Sequence, residues 1–195
     1  MATFGKTTNG SNVQTFSGDR SYICSATPDS SGTVTNGSGR VRITSAGSTL
    51  AKMVIYSDLL GEPLTLLATS DEVTVDFTTS TLTDFPFSGA NQISIVSGTP
   101  YWIGFIFDDP GTPSFEMKRD NTASLVRFQA VTYPTPPSPF VPDGSSNGPL
   151  NASIDYTVSG GSVIKTMKGL ASASVKTKKG LAIASVKTEK GLTNV

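Results

Sequence analysis

Few residues of this chain have the types and spacing that enzyme chemistry requires. The sequence contains no histidine, which removes the usual general base and the commonest metal ligand. Asp108 and Asp109 form the densest acidic cluster, and adjacent carboxylates after a strand can ligate Ca²⁺ through their oxygens. Because Pro110 and Gly111 follow them, a solvated turn is the favoured interpretation. The sequence predicts no catalytic residue and no cofactor, with a calcium site only as a minor alternative.

Three aromatic residues are candidates for a ligand-binding face. Tyr101, Trp102 and Tyr133 could each present a ring to a sugar beside the acidic pair. The alternative is that these rings belong to a core. Residues 101–107 form the longest apolar run of the chain, which is typical of a strand enclosed on both faces. We therefore predict that Trp102 is buried.

Composition and apolar spacing predict the elements that must position these side chains. With 19 Gly, 12 Pro and 15% charged residues in 195, the chain suits short strands joined by turns. β-branched or aromatic runs alternate with turn clusters at the spacing of a sandwich. The predicted strands cover residues 13–16, 20–26, 33–35, 40–44, 50–57, 64–68, 72–77, 93–96, 101–107, 124–132 and 151–158. We expect one all-β body over residues 1–159.

Two features of this body have a specific structural interpretation. Residues 134–149 contain six prolines among Gly and Ser, a composition that cannot join a sheet interior and predicts a surface loop or linker. Cys24 is the single cysteine, so it cannot form an internal disulfide. We predict that it is a small buried apolar side chain of a strand.

Residues 162–195 form a tail that repeats every eleven residues. The sequence IKTMKGL at 164–170 recurs as VKTKKGL at 175–181 and as VKTEKGL at 186–192. An eleven-residue period can describe a right-handed helical supercoil, but the β-branched residues and the glycine within each copy favour strands. We predict a hairpin in each copy, with a three-residue connection whose glycine takes the left-handed conformation.

The neutral net charge conceals an asymmetry between body and tail. Through Gly161 eight basic residues oppose fourteen acidic ones, a net charge of −6, whereas seven lysines and one Glu give +6 from Ser162 onward. Such asymmetry indicates an interaction segment. The candidate assembly residues are Ile164, Lys165, Lys168, Gly169, Leu170, Val175, Lys176, Lys179, Gly180, Leu181, Val186, Lys187, Lys190, Gly191 and Leu192. The lysines lack interleaved aromatics, so we expect no specific nucleic acid as a partner, and no membrane.

Three stretches of the body resemble a jelly-roll-like β-sandwich module of tailed-phage virion proteins and of bacterial surface or carbohydrate-binding proteins. They are ATFGKT at 2–7, MVIYSD at 53–58 with GEP at 61–63 and LLA at 66–68, and GTPYWIGF at 98–105. The tail resembles short Val-Lys-Thr-x-Asn-Gly-Leu-Ala repeats at the ends of virion proteins, with Lys168, Lys179 and Lys190 where Asn is commonest. The resemblance brings no catalytic residues.

The resemblance implies a non-enzymatic bacteriophage virion protein. Because residues 1–16 are polar and lack the apolar stretch of a secretory signal, we expect it to be made in the host cytoplasm. We expect a capsid decoration or cement protein that binds the assembled shell through its tail. Its expected partners are copies of itself, as a trimer, and other virion proteins such as the major capsid protein. The alternatives are a tail, fibre or baseplate component, or a carbohydrate-binding adhesin module that takes surface glycans. A hydrolase built on two carboxylates is a third class.

Overall fold

The computed structural model describes residues 1–16, 19–108, 114–121 and 125–159, together with six two-residue strands nearer the C-terminus. The chain divides into two compact units, Met1–Val158 and Ser159–Val195. None of the helices within the described ranges is long and apolar enough to cross a membrane.

The first unit is built almost wholly from strands, as the alternating sequence pattern predicts. Its described strands are β1 (Ala2–Gly5), β2 (Asn12–Phe16), β3 (Arg20–Ala26), β4 (Gly32–Ile43), β5 (Thr49–Leu59), β6 (Glu62–Thr69), β7 (Val73–Val75), β8 (Thr81–Pro86), β9 (Ser94–Ile95), β10 (Tyr101–Phe107), β11 (Phe115–Arg119), β12 (Leu125–Ala130), β13 (Gly144–Asn147) and β14 (Ala152–Val158). A single 3₁₀ turn, Gly89–Asn91, lies between β8 and β9.

These strands form two antiparallel seven-stranded sheets. The first has the order β1-β14-β4-β11-β2, and β8 and β9 also pair with β4. The second has the order β13-β12-β3-β10-β5-β6, and β7 also pairs with β5. Eight strands have the connectivity of a jelly roll, since β2-β11-β4-β8 lie in one sheet and β3-β10-β5-β6 in the other. The predicted all-β, jelly-roll-like sandwich is confirmed.

Strand β4 replaces two strands that the sequence predicts separately. Residues 36–39, Asn-Gly-Ser-Gly, have the composition of a turn, yet β4 continues through them and pairs with β14 on one side and β8 on the other. A Cβ on Gly39 would lie 2.5 Å from Cζ of Phe105 in the opposite sheet, and one on Gly37 would collide with Sδ of Met53. These glycines make room for large side chains of the facing sheet, so packing and not turn geometry explains them.

The main core fills the space between the two sheets. Ile103, Met53 and Val41 have no exposed surface, and the rings of Phe107 and Phe115 stack with their centroids 4.7 Å apart. Cys24 is buried in this core, as predicted, and burial raises the pKa of its thiol to about 11. The thiol is therefore protonated and unreactive at neutral pH.

Candidate functional site

A second, smaller core lies on the outer face of the second sheet. Ile23, Val54, Tyr56, Trp102 and Ile106 project from β3, β5 and β10 into this core. Residues 131–140, which we call the strap, cross over them. The sequence predicts a surface loop or linker over residues 134–149, which include most of the strap. The strap is instead packed into the fold, because its last residue, Phe140, is buried in the second core.

The strap is fixed by both apolar and polar contacts. The ring of Phe140, 3% exposed, meets the ring of Tyr56 edge-on at a centroid distance of 5.1 Å. The Phe140 N–H donates to the carbonyl oxygen of Leu64 at 2.8 Å, and the Leu66 N–H donates to Oγ of Ser138 at 3.3 Å. The strap is thereby joined to the edge strand β6. Further along the proline-rich segment, β13 pairs with β12 at the other edge of the sheet.

Two of the three predicted ligand-binding aromatics are core residues. Tyr101 is 6% exposed and belongs to the core between the sheets, whereas Trp102 is 2% exposed and belongs to the second core. Neighbouring residues of a strand point to opposite faces, so these two rings cannot share one ligand face. The predicted burial of Trp102 is confirmed, and a sugar-stacking role for Tyr101 and Trp102 is wrong because neither ring is open to solvent.

An acidic side chain near the end of β5 holds the Trp102 indole. The Trp102 Nε1–H donates to Oδ1 of Asp58 at 2.8 Å, and the other oxygen of Asp58 accepts from the Gly61 N–H at 3.0 Å.

An ion pair shows that the second sheet is strongly curled. Glu62 of β6 pairs with Arg127 of β12, whose Nε donates to Oε2 of Glu62 at 2.7 Å. Strands β6 and β12 are separated in the sheet by β3, β10 and β5. An ion pair between them requires the sheet to curl into a half-barrel around the second core.

Tyr133, the third predicted aromatic, lines a shallow pocket formed mainly by the first half of the strap. We call it the Tyr133 pocket; its volume is about 470 Å³ and its walls are Ala130, Val131, Thr132, Tyr133, Thr135 and Pro137. The Tyr133 hydroxyl donates to Oε2 of Glu72 at 2.7 Å. Lys52 lies close to both, with Nζ over the Tyr133 ring at 5.8 Å from its centroid and 3.8 Å from the Glu72 carboxylate. These contacts hold the ring in one orientation.

The electrostatics of this site keep the Tyr133 hydroxyl protonated. Burial raises the pKa of Tyr133 most, followed by the hydrogen bond to Glu72 and by the negative charges of Glu72 and Asp108. A protonated phenol is a hydrogen-bond donor as well as an acceptor. The pocket thus offers a fixed aromatic ring and threonine hydroxyls with an ammonium and carboxylates nearby, which is suited to a hydroxyl-rich ligand.

Of the two acidic residues predicted as a possible calcium site, only Asp108 lies within the described residues. Asp108 follows β10, and its carbonyl oxygen accepts a hydrogen bond from the Thr49 hydroxyl; Asp109 lies outside the described residues. Within the described part of the chain, no group of three or more His, Cys, Asp or Glu side chains could hold a metal ion. The contribution of Asp108 that the structure shows is its negative charge near Tyr133.

The C-terminal unit contains a short hairpin in each repeat. The described strands pair as β15 (Thr166–Met167) with β16 (Leu170–Ala171), β17 (Thr177–Lys178) with β18 (Leu181–Ala182), and β19 (Thr188–Glu189) with β20 (Leu192–Thr193). The prediction of strands over helix is confirmed for these residues. The predicted three-residue connection is wrong, because Met167 pairs with Leu170 and only two residues join them; two-residue loops match the twist of the flanking strands best.

Three of the predicted assembly residues, Leu170, Leu181 and Leu192, lie in these strands. The others lie outside the described residues: Ile164, Lys165, Lys168, Gly169, Val175, Lys176, Lys179, Gly180, Val186, Lys187, Lys190 and Gly191. The leucines occupy the same position in each hairpin, since each begins the second strand.

Comparison of the chain with protein-family models and with curated protein sequences gives no match. Its function must therefore be inferred from its own residues and their geometry.

Sequence reasoning missed the partners of Tyr133 and Trp102. Lys52 alternates with Val54 and Tyr56 along β5, so its charge interrupts an otherwise apolar face. A lysine on an apolar strand face is uncommon, so Lys52 could have been predicted to have a charged or aromatic partner on that face. No sequence pattern connects Glu72 to Tyr133 or Asp58 to Trp102, because these pairs meet only through the sheet pairing and the path of the strap.

Proposed function

We propose that this protein is a non-enzymatic structural component of a bacteriophage virion, specifically a decoration protein of the capsid. The observation that carries the proposal is the combination of a jelly-roll body with a separate unit of repeated hairpins. Jelly rolls are common in viral capsid domains. Because the same fold also hosts lectins, the repeats rather than the body favour a structural role.

The repeats have the properties of an attachment segment. An isolated two-stranded hairpin is marginally stable in water, and each hairpin here has strands of only two residues. Repeats that cannot bury enough surface alone need stacking neighbours or a partner. Open strand edges can be completed by a strand of another protein. We propose that residues 162–195 attach to the shell, with the major capsid protein as partner and the copies arranged as a trimer.

Charge supports the same arrangement. The body carries a net charge of −6 and the tail +6, so an acidic shell surface would attract the tail at long range and repel the body. Main-chain pairing in a finished assembly is screened little by salt. Added salt should therefore slow attachment more than it releases attached protein.

The test is co-sedimentation of the purified chain with virus particles assembled without it, whose attachment sites are free. The full chain should sediment with the particles, and a chain ending at Ser159 should stay in the supernatant. A matched variant with Leu170, Leu181 and Leu192 changed to Ser keeps every charge and should also lose binding. Failure of the full chain to bind any part of the particle would refute the virion role. Binding of the truncated chain would refute attachment through the tail, and imaging would separate capsid from tail, fibre or baseplate placement.

The Tyr133 pocket favours a second candidate function, the binding of a surface glycan. The observation behind it is the open pocket whose ring is held by Glu72 and Lys52. A glycan array probed with the full chain should show selective binding that Tyr133→Ala abolishes. Tyr133→Phe keeps the ring and removes the hydroxyl, so it should retain part of the binding. Equal signals from all three proteins would exclude this pocket as a glycan site.

A further inference from the structure

The wall of the Tyr133 pocket has few hydrogen-bond donors left for a ligand. The Ala130 N–H donates to Oδ2 of Asp143, and the Val131 N–H donates to the carbonyl oxygen of Asp19. The Thr135 N–H donates to a carbonyl oxygen of the strap itself. A carboxylate or phosphate ligand needs N–H groups or cations that point at it, so this wall is poorly suited to an anionic group.

Glu72 holds the Tyr133 ring and keeps one acceptor open. Its Oε2 accepts from the Tyr133 hydroxyl and also forms the ion pair with Lys52. Its second oxygen, Oε1, has no hydrogen-bond donor within the described part of the chain. The Glu72 side chain is 42% exposed and the Lys52 side chain is 20% exposed, so the carboxylate is the more accessible of the two charges.

Negative charge predominates around the pocket. The charged residues that touch the wall or act on Tyr133 are four acids and two bases, namely Glu72, Asp108, Asp143, Asp19, Lys52 and Arg20. Both bases already face an aromatic ring, since Lys52 Nζ lies over Tyr133 and the Arg20 guanidinium lies over Phe128, 5.4 Å from its centroid. The surplus of negative charge attracts a cationic group and repels a carboxylate or sulfate.

We propose that the Tyr133 pocket takes a glycan with free amino groups, in preference to a neutral or acidic glycan. A sugar ring packs against Tyr133. Glu72 lies at the hydroxyl edge of that ring, so its Oε1 accepts a charge-assisted hydrogen bond from the protonated amine of the sugar. The hydroxyls of Thr132 and Thr135 in the wall bind the sugar hydroxyls. This inference rests on the proposed glycan-binding role of the pocket and does not depend on the virion role.

The test compares three short oligosaccharides by calorimetric titration of the full chain at slightly acidic pH. They are a glucosamine oligomer, its N-acetylated counterpart and a galacturonic acid oligomer, whose sugars carry a positive charge, no charge and a negative charge. The glucosamine oligomer should bind about tenfold more tightly than the acetylated one, as one charge-assisted hydrogen bond allows. The galacturonic acid oligomer should bind most weakly, because the surrounding carboxylates repel it.

Glu72→Gln is the decisive variant. It keeps a side-chain oxygen that can hold the Tyr133 hydroxyl and removes the charge, so it should lose most of the preference for the glucosamine oligomer while still binding the acetylated one. Asp29→Asn is the matched control, because Asp29 is an exposed acid that follows the end of β3, whereas the start of β3 pairs with Ala130 of the pocket wall. This variant should keep the preference of the parent.

The outcomes separate glycan binding from the choice of glycan. Absence of binding to all three oligosaccharides would refute glycan binding by this chain, and the preference for amines with it. Tightest binding of the acetylated or the acidic oligomer would leave glycan binding intact and overturn the preference for amines. A preference that persists in Glu72→Gln would overturn the assignment to this pocket. Equal affinity for a lysine oligomer of the same charge would show that positive charge alone is selected, which would overturn the choice of a glycan.

Discussion

The hydrogen bond between Trp102 and Asp58 should contribute measurably to the stability of the body. In Asp58→Ala the buried Nε1–H of Trp102 loses its acceptor at 2.8 Å, and the Gly61 N–H loses its acceptor at 3.0 Å. A hydrogen bond to a charged group contributes about 1.5–3 kcal/mol, and a buried donor left without a partner costs a similar amount. Because the Gly61 bond is exposed, most of the loss comes from Trp102. We expect Asp58→Ala to lower the free energy of unfolding by about 2–4 kcal/mol.

Urea unfolding followed by tryptophan fluorescence is the direct assay, since Trp102 is the single tryptophan of the chain. The parent should show blue-shifted emission that acrylamide quenches poorly, because the ring is 2% exposed. For a chain of this size, the expected loss corresponds to a fall in the midpoint of thermal unfolding of roughly 5–15 °C. The urea midpoint should fall while the dependence of the unfolding free energy on urea stays constant.

Asp58→Asn is the matched control. Its side-chain oxygen can still accept from Trp102, although without a charge, so we expect a loss of about 1 kcal/mol. An Asp58→Ala protein with the urea midpoint of the parent would refute the reasoning, since the indole N–H would then have another acceptor. Equal losses in Asp58→Ala and Asp58→Asn would show that the charge, and not the acceptor geometry, matters.

Three further predictions concern other parts of the chain. Gly39→Ala should destabilise the protein by about 1–3 kcal/mol by thermal unfolding, because its Cβ would meet Phe105, and Phe105→Leu in the same chain should recover part of that loss. Cys24 should react with a thiol reagent only as the chain unfolds, because the thiol is buried. Burial also raises the pKa of this thiol from 9.0 to about 11, so the unfolded chain loses the thiol proton at a lower pH than the folded chain does. The free energy of unfolding should therefore fall as the pH rises from about 9 to about 11. A chain ending at Ser159 should still unfold cooperatively, because the apolar residues that form both cores precede it; a molten product would contradict this.

Much of the strand content follows from the local sequence. Strands β3 and β10 occupy the predicted residues, because their β-branched and aromatic runs favour extended backbone wherever they pack. The four strands that sequence analysis missed are β1, β8, β11 and β13. Each is short and carries glycine, proline or charged residues that weaken the local signal. These strands form because a neighbouring strand offers them unpaired main-chain groups.

The sequence alone determined the class of the fold, the separate character of the C-terminal repeats, and the burial of Trp102 and Cys24. These properties depend on composition and on periods of two and eleven residues, which are visible without any partner. Only the tertiary structure decided that β4 continues through Asn-Gly-Ser-Gly, that the strap covers a second core, and that Tyr133 meets Glu72 and Lys52. Those results depend on contacts between residues far apart in the chain, and sheet pairing, rather than local preference, determines which residues meet.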